Sequence, residues 1–149
     1  MPTPFESATL NLKLFELRRD PVLREARDWF LWQFHPNSCA EIIEAVRSER
    51  NASFRMVISY WDMAASLVTS GAIDAEAFRA ANGEVFGTFS KLHPFLAEMR
   101  QVTGEAGICK HVEAVVMSAP DAEAILKRRR DALRAAGEAR RAKAAGEQA

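Results

Sequence analysis

Residues 51–74 read NASFRMVISYWDMAASLVTSGAID, and the spacing of their apolar side chains decides the fold class. Phe54, Val57, Ile58, Trp61, Ala65 and Val68 recur at intervals of three and four, the period of one helix face. The spacing predicts a helix over about residues 52 to 70. Gly71 supplies a left-handed stop, and Asp74 is placed to accept the free amides of the next helix. One side chain breaks the apolar pattern: Asp62, between Trp61 and Met63. Three readings of it stand side by side: an ion pair with a cation on another helix, such as Arg27 or Arg100, a solvated acid, or a general acid or base. The last needs a second positioned group, and no motif in the chain supplies one.

The same logic extends in both directions. Upstream, Leu10, Leu14 and Leu17 form a helical stripe with Phe5, Leu12 and Phe15 beside it. Asp20-Pro21 begins a second helix, Asp as N-cap and Pro at the first helical position, which runs to about Phe34 before His35-Pro36 ends it. Asn37 or Ser38 caps a third helix with Ile42, Ile43 and Val46 inward. Downstream, Phe78, Val85, Phe86, Phe89, Leu92, Leu96 and Met99 carry one helical pattern that Pro94 interrupts, because proline removes a backbone donor and crowds the preceding turn. Gly104 and Gly107 loosen the next junction. A shorter helix then holds Ile108, Val112, Val115 and Val116 and stops before Pro120, and Asp121 caps the last segment. No strand-like alternation is sustained. The expectation is an all-α fold, a compact bundle of about six or seven helices over residues 1–120, with an extended, charged C-terminal helix or tail over 121–149.

Composition bounds the function. The chain has 149 residues, enough for one domain with a substantial core. Its 20 basic and 20 acidic residues cancel, so no global field steers it to nucleic acid or an anionic membrane. The two cysteines make no disulfide scaffold and fit a reducing cytoplasm. No apolar run approaches the roughly 18–20 residues needed to cross a bilayer, and the first residues carry acids and polar groups where a secretory signal has a basic start and an apolar block. A cytoplasmic protein without a membrane partner is expected.

The densest apolar run, Trp29-Phe30-Leu31-Trp32-Gln33-Phe34, points around nearly the whole circumference of a helix, so one buried face cannot hide it. Either the bundle covers this helix on all sides, or Leu31 and Trp32 belong to a partner surface, since aromatics dominate interface hot spots. A homo-oligomer is the cheapest such partner. His35, Cys39, Cys109 and His111 are the right types for tetrahedral zinc, but their spacing matches no finger, so no metal or cofactor is assigned to them. The tail from Lys127, KRRRDALRAAGEARRAK, is the one nucleic-acid candidate. Residues 121–149 hold eight basic and five acidic side chains. The tail lacks interleaved aromatics and phosphate-binding glycine loops, and nucleic acid is the second reading rather than the first. No P-loop, GxGxxG, GxSxG or HExxH occurs, and no catalytic residue is assigned.

Tyr60-Trp61-Asp62, the turn into Gly71-Ala72-Ile73-Asp74, Phe86-Gly87, the aromatic-rich run from Phe89 through Pro94-Phe95, and Ala26-Arg27-Asp28-Trp29-Phe30 together resemble a bacterial all-helical family known only as a domain of unknown function. The resemblance spans roughly residues 22–100. It implies a bacterial source and a compact helical fold, and it carries no catalytic residue. Some members of that family follow a membrane segment; this chain has no such segment. The function expected from the residues is a protein–protein interaction or scaffold module that self-associates. A nucleic-acid-associated regulator and a metal- or small-molecule-binding bundle are the alternatives.

Overall fold

A computed structural model describes residues 1–149. Its regular structure is nine α-helices and one 3-10 turn, with no strand. The helices are α1 (Pro4–Leu17), α2 (Pro21–Trp32), α3 (Cys39–Arg47), α4 (Asn51–Thr69), α5 (Ala75–Ala81), α6 (Glu84–Ser90), α7 (Leu96–Thr103), α8 (Lys110–Met117) and α9 (Ala122–Glu147), and the 3-10 turn covers His93–Phe95.

Most helix starts follow from local chemistry. Thr3 and Glu6 form a capping box at α1, the Asp20 carboxylate accepts the amides of Val22 and Leu23, Ser38 Oγ accepts the amide of Glu41, and Asp74 accepts the amide of Ala77. Gly71, at φ +83°, ends α4 as expected of a residue without a Cβ. Asp121 departs from this pattern. It sits at φ +57° and its side chain caps nothing.

The helix count exceeds six or seven because one apolar pattern is cut into three helices. Pro94 produces the expected break, a 3-10 turn. The second cut, at Asn82, has a cause that lies outside the local pattern. Asn82 is 2% exposed; its Nδ2 donates to the Phe78 carbonyl and to Asn11 Oδ1, both at 2.9 Å, and its Oδ1 accepts from Arg18 at 2.6 Å. An asparagine that satisfies the carbonyl four residues back competes with continuation of the helix. This one also ties α5 to α1.

At the centre lies α4, with α2 and α8 packed along it and α3 crossing it. Helix α6 packs on α8 and α2, and α9 lies along α6 and α2. Helix α7 meets α3, and α1 rests mainly on α5. The core is one cluster of 27 buried residues, in which Trp61, Phe30, Phe78 and Phe89 are among the largest side chains. Each such side chain contributes roughly 1.5–3 kcal/mol relative to exposure. Trp29, Phe30, Leu31 and Phe34 are all buried. The bundle therefore surrounds the end of α2, and Leu31, 8% exposed, is covered from within the chain rather than offered to a partner.

Candidate functional site

Three polar or apolar features stand out against this framework. The first is Asp62. Its carboxylate meets neither Arg27 nor Arg100. Arg27 is bidentate to Glu84 at 2.8 and 2.9 Å and donates to the Arg18 carbonyl, and Arg100 donates to the Ile108 carbonyl and Glu113. Asp62 Oδ1 instead accepts the backbone amides of His111 and Val112, each at 3.0 Å. Helix α8 needs that acceptor. Its own N-cap, Cys109, is left-handed at φ +56° and makes no side-chain cap. An acid on α4 thus caps α8 across 49 residues, and its charge faces the positive end of the α8 dipole. His111 Nδ1 lies 2.7 Å from Thr69 Oγ1 and fastens the same junction. Cys109 is 4% exposed; burial, with the Asp62 charge adding, pushes its thiol up to about 12, which keeps it unreactive as a neutral group.

The second feature, Lys91, has no counterpart in sequence motifs. It follows α6 and is 2% exposed. Its Nζ donates to the carbonyls of Phe30, Leu31 and Phe34 at 2.6, 2.7 and 2.6 Å. Those of Phe30 and Leu31 are orphan acceptors in the last turn of α2, and Phe34 lies two residues beyond it. The ammonium therefore caps a helix C-terminus, where a cation is favoured. His35 Nε2 lies 3.1 Å from the Trp32 carbonyl and must donate there, so its Nδ1, 3.2 Å from Lys91 Nζ, is the acceptor. His35 is a neutral imidazole in this arrangement, and burial, followed by the Lys91 charge, lowers its pKa. Burial, with Arg134 adding, also pulls Lys91 down to about 7. The three carbonyls act in the opposite direction, since a neutral amine has only two N–H groups for three acceptors. The signal in the sequence was a lone lysine in the aromatic-rich VFGTFSKLHPF, residues 85–95, which has no acid to pair with it.

Helix α9 closes this end of the molecule. Arg134 donates to the carbonyls of His35 and Pro36 at 3.4 and 3.5 Å, Arg130 to the Ser90 carbonyl at 3.0 Å, and the Arg140 guanidinium lies 4.0 Å from the centre of the Trp32 ring. Three arginines of the basic tail therefore face the protein itself. Trp32 is half-buried and packs against Arg140 of α9. Glycines permit the approach. A Cβ on Gly137 would collide with His35 Nε2 and the Trp32 carbonyl, and one on Gly87 would sit 3.1 Å from a Leu133 methyl.

The third feature is the outer face of α1. Ser7 and Leu14 are buried against the bundle, whereas Phe5, Leu12 and Phe15 are 79%, 70% and 56% exposed. Phe5, Ala8, Leu12 and Phe15 recur at i, i+3, i+7 and i+10, so they form a single row on the surface. Beside the row runs a groove of about 720 Å³ whose α5 wall is Asp74, Ala77 and Ala81. Its base is tied down by the Arg18–Asn82–Asn11 hydrogen bonds and by Tyr60, whose hydroxyl donates to the Leu14 carbonyl at 2.7 Å.

The four metal-type residues do not gather: His35 sits beside Lys91, Cys39 opens α3, Cys109 precedes α8, and His111 is bonded to Thr69. No group of three or more His, Cys, Asp or Glu side chains is placed to hold a metal ion. Both cysteines are free and buried. No helix is long and apolar enough to cross a membrane.

No curated protein and no solved structure matches the chain. A family model described as "Domain of unknown function (DUF4760)" matches residues 4–118, from the start of α1 to the end of α8. That range contains Asp62 and its α8 cap, Lys91 with the α2 carbonyls, and the exposed row of α1, and it is wider than the resemblance carried by residues 22–100. On this match the chain belongs to the DUF4760 family of domains of unknown function.

Proposed function

We propose that the protein is an interaction module that self-associates through the outer face of α1 and the groove beside it. One observation carries the reading. Of nine large apolar residues left exposed, five (Met1, Phe5, Leu12, Phe15 and Leu17) belong to α1 and its approach. Scattered exposed apolar residues need no explanation, but a contiguous row marks a surface that something covers. A second copy fits the chemistry. A ridge of Phe and Leu lies next to an alanine-walled groove on the same face, so a two-fold arrangement sets each ridge into the other groove. Antiparallel α1 helices also oppose their dipoles and bring the acidic first turn, Glu6, toward the basic end at Arg18 and Arg19.

In this reading the bundle over residues 1–120 is the working unit, and the helix from 121 is an attachment to it. The free thiols of Cys39 and Cys109 support a reducing, cytoplasmic setting, and the family resemblance supports a bacterial one. The test is mass by light scattering over a concentration series, comparing the native chain with Leu12→Glu/Phe15→Glu. The native mass is expected to rise toward a dimer with concentration, and the double variant to stay monomeric. A native chain that stays monomeric throughout would overturn the reading.

A further inference from the structure

The cleft along α2 and α6 has the character of a receptor for one particular helix. Its recognition features are spaced along α9: Arg130 on the Ser90 carbonyl, Leu133 in the notch left by Gly87, Arg134 on the His35 and Pro36 carbonyls, Gly137 against His35 and Trp32, and Arg140 on the Trp32 ring. Two glycines, one on each partner, admit the other side's bulk. Two of the arginines address backbone oxygens, which any chain folded this way presents in the same positions.

The helix that fills this cleft is joined to the rest by a short and strained connection. Only Ser118–Asp121 separates α8 from α9, with Ser118 as the C-cap of one and Asp121 as the N-cap of the other. Asp121 is held at φ +57°, a conformation that costs a residue with a Cβ energy, and its carboxylate gains no capping bond in return. The family match ends at residue 118, so the connection falls where the shared domain stops and the added helix begins. Short connections under strain favour exchange of the element they hold between copies, because opening them relaxes the strain while every contact of the exchanged helix is remade identically.

We propose that α9 is an exchangeable helix: the α2–α6 cleft of one copy accepts the α9 of a second copy, in a dimer formed by opening the Ser118–Asp121 connection. This interface is separate from the α1 face and stands or falls independently of it.

The experiment uses the full-length chain. Equal amounts of carbon-13-labelled and unlabelled protein are concentrated, warmed to the onset of unfolding and cooled, and the dimer fraction is isolated. An isotope-filtered NOE spectrum is then recorded between the Leu133 methyls and the Gly87 α-protons. Exchange predicts an interchain Leu133–Gly87 cross-peak. It also predicts a dimer that persists on dilution and survives Leu12→Glu/Phe15→Glu. Asp121→Gly, which removes the left-handed penalty in the closed monomer, is expected to weaken the exchanged dimer by about tenfold or more. A chain that yields no dimer, a dimer whose Leu133–Gly87 contact is wholly intrachain, or an Asp121→Gly dimer as tight as the native one each overturns the proposal.

Discussion

The Asp62 carboxylate on α4 accepts the amides of His111 and Val112 and so begins α8, a helix whose own leading residue, Cys109, cannot cap it. A cap from outside the helix is expected to behave energetically like a local one. Asp62→Ala should lower stability by about 1–2 kcal/mol in a urea melt. Asp62→Asn keeps an acceptor oxygen and should recover most of that loss, short only of the charge–dipole part. An ion-pair role makes the opposite prediction for the asparagine, which would behave like alanine. Equal stability of all three chains would show that the bonds contribute nothing.

Lys91 makes a statement about pH. Its folded pKa, about 7, lies below the value near 10.5 of an unfolded lysine, so between these limits the unfolded chain holds more protons than the folded one. Stability therefore rises with pH across that window, by about 1 kcal/mol per unit above pH 7. Cys109 opposes this from about pH 9, where the unfolded thiol ionises while the folded one, at about 12, does not. The two slopes cancel above about pH 9, so urea melts at several pH values should show stability rising to about pH 9 and levelling off. The Cys39 thiol, which burial also pushes up, should turn the plateau downward. Lys91→Met should flatten the rise between 7 and 9 and, by orphaning the α2 carbonyls, cost on the order of 2–4 kcal/mol. A native profile that is flat from 7 to 9 would mean that the three carbonyls hold the ammonium charged throughout.

The two glycines at the α9 contact should respond differently to the same substitution. Alanine in place of a helical glycine gains about 1 kcal/mol from propensity alone. At Gly87 the new methyl meets only the end of the flexible Leu133 side chain, so Gly87→Ala should be neutral or slightly stabilising. At Gly137 it meets a backbone carbonyl and the His35 ring, and Gly137→Ala should destabilise by about 1–3 kcal/mol despite the propensity gain. Thermal melts of the two variants decide the matter; matching shifts would argue that α9 is not seated against Trp32 and His35.

The α1 row should carry association and little else. Phe5, Leu12 and Phe15 touch solvent over most of their surface, so Leu12→Glu/Phe15→Glu is expected to change monomer stability by no more than about 0.5 kcal/mol per site. Denaturant melts at a concentration where the native chain is monomeric provide the check. A loss of several kcal/mol would mean that the row packs on its own chain.

Much of this molecule follows from neighbours in sequence. The helical period of residues 51–70, the caps at Asp20, Ser38 and Asp74, the stop at Gly71 and the break at Pro94 are all set within about one turn of chain, because a helix end is satisfied by groups three or four residues away. What escaped was everything satisfied from a distance. Asn82 splits an apparently continuous helix because Arg18 and Asn11 reach it from α1. Asp62 finds backbone amides 49 and 50 residues away, and Lys91 finds carbonyls at and just beyond the end of α2 across 57 to 61. Gly137 looks like a weak point in an alanine-rich helix until His35 and Trp32 are brought against it. The sequence by itself determined that the chain is helical and where most helices begin. Which polar groups meet was decided only by the packing, because a half-buried carboxylate or a buried ammonium takes whichever backbone dipole the tertiary fold brings within hydrogen-bonding reach.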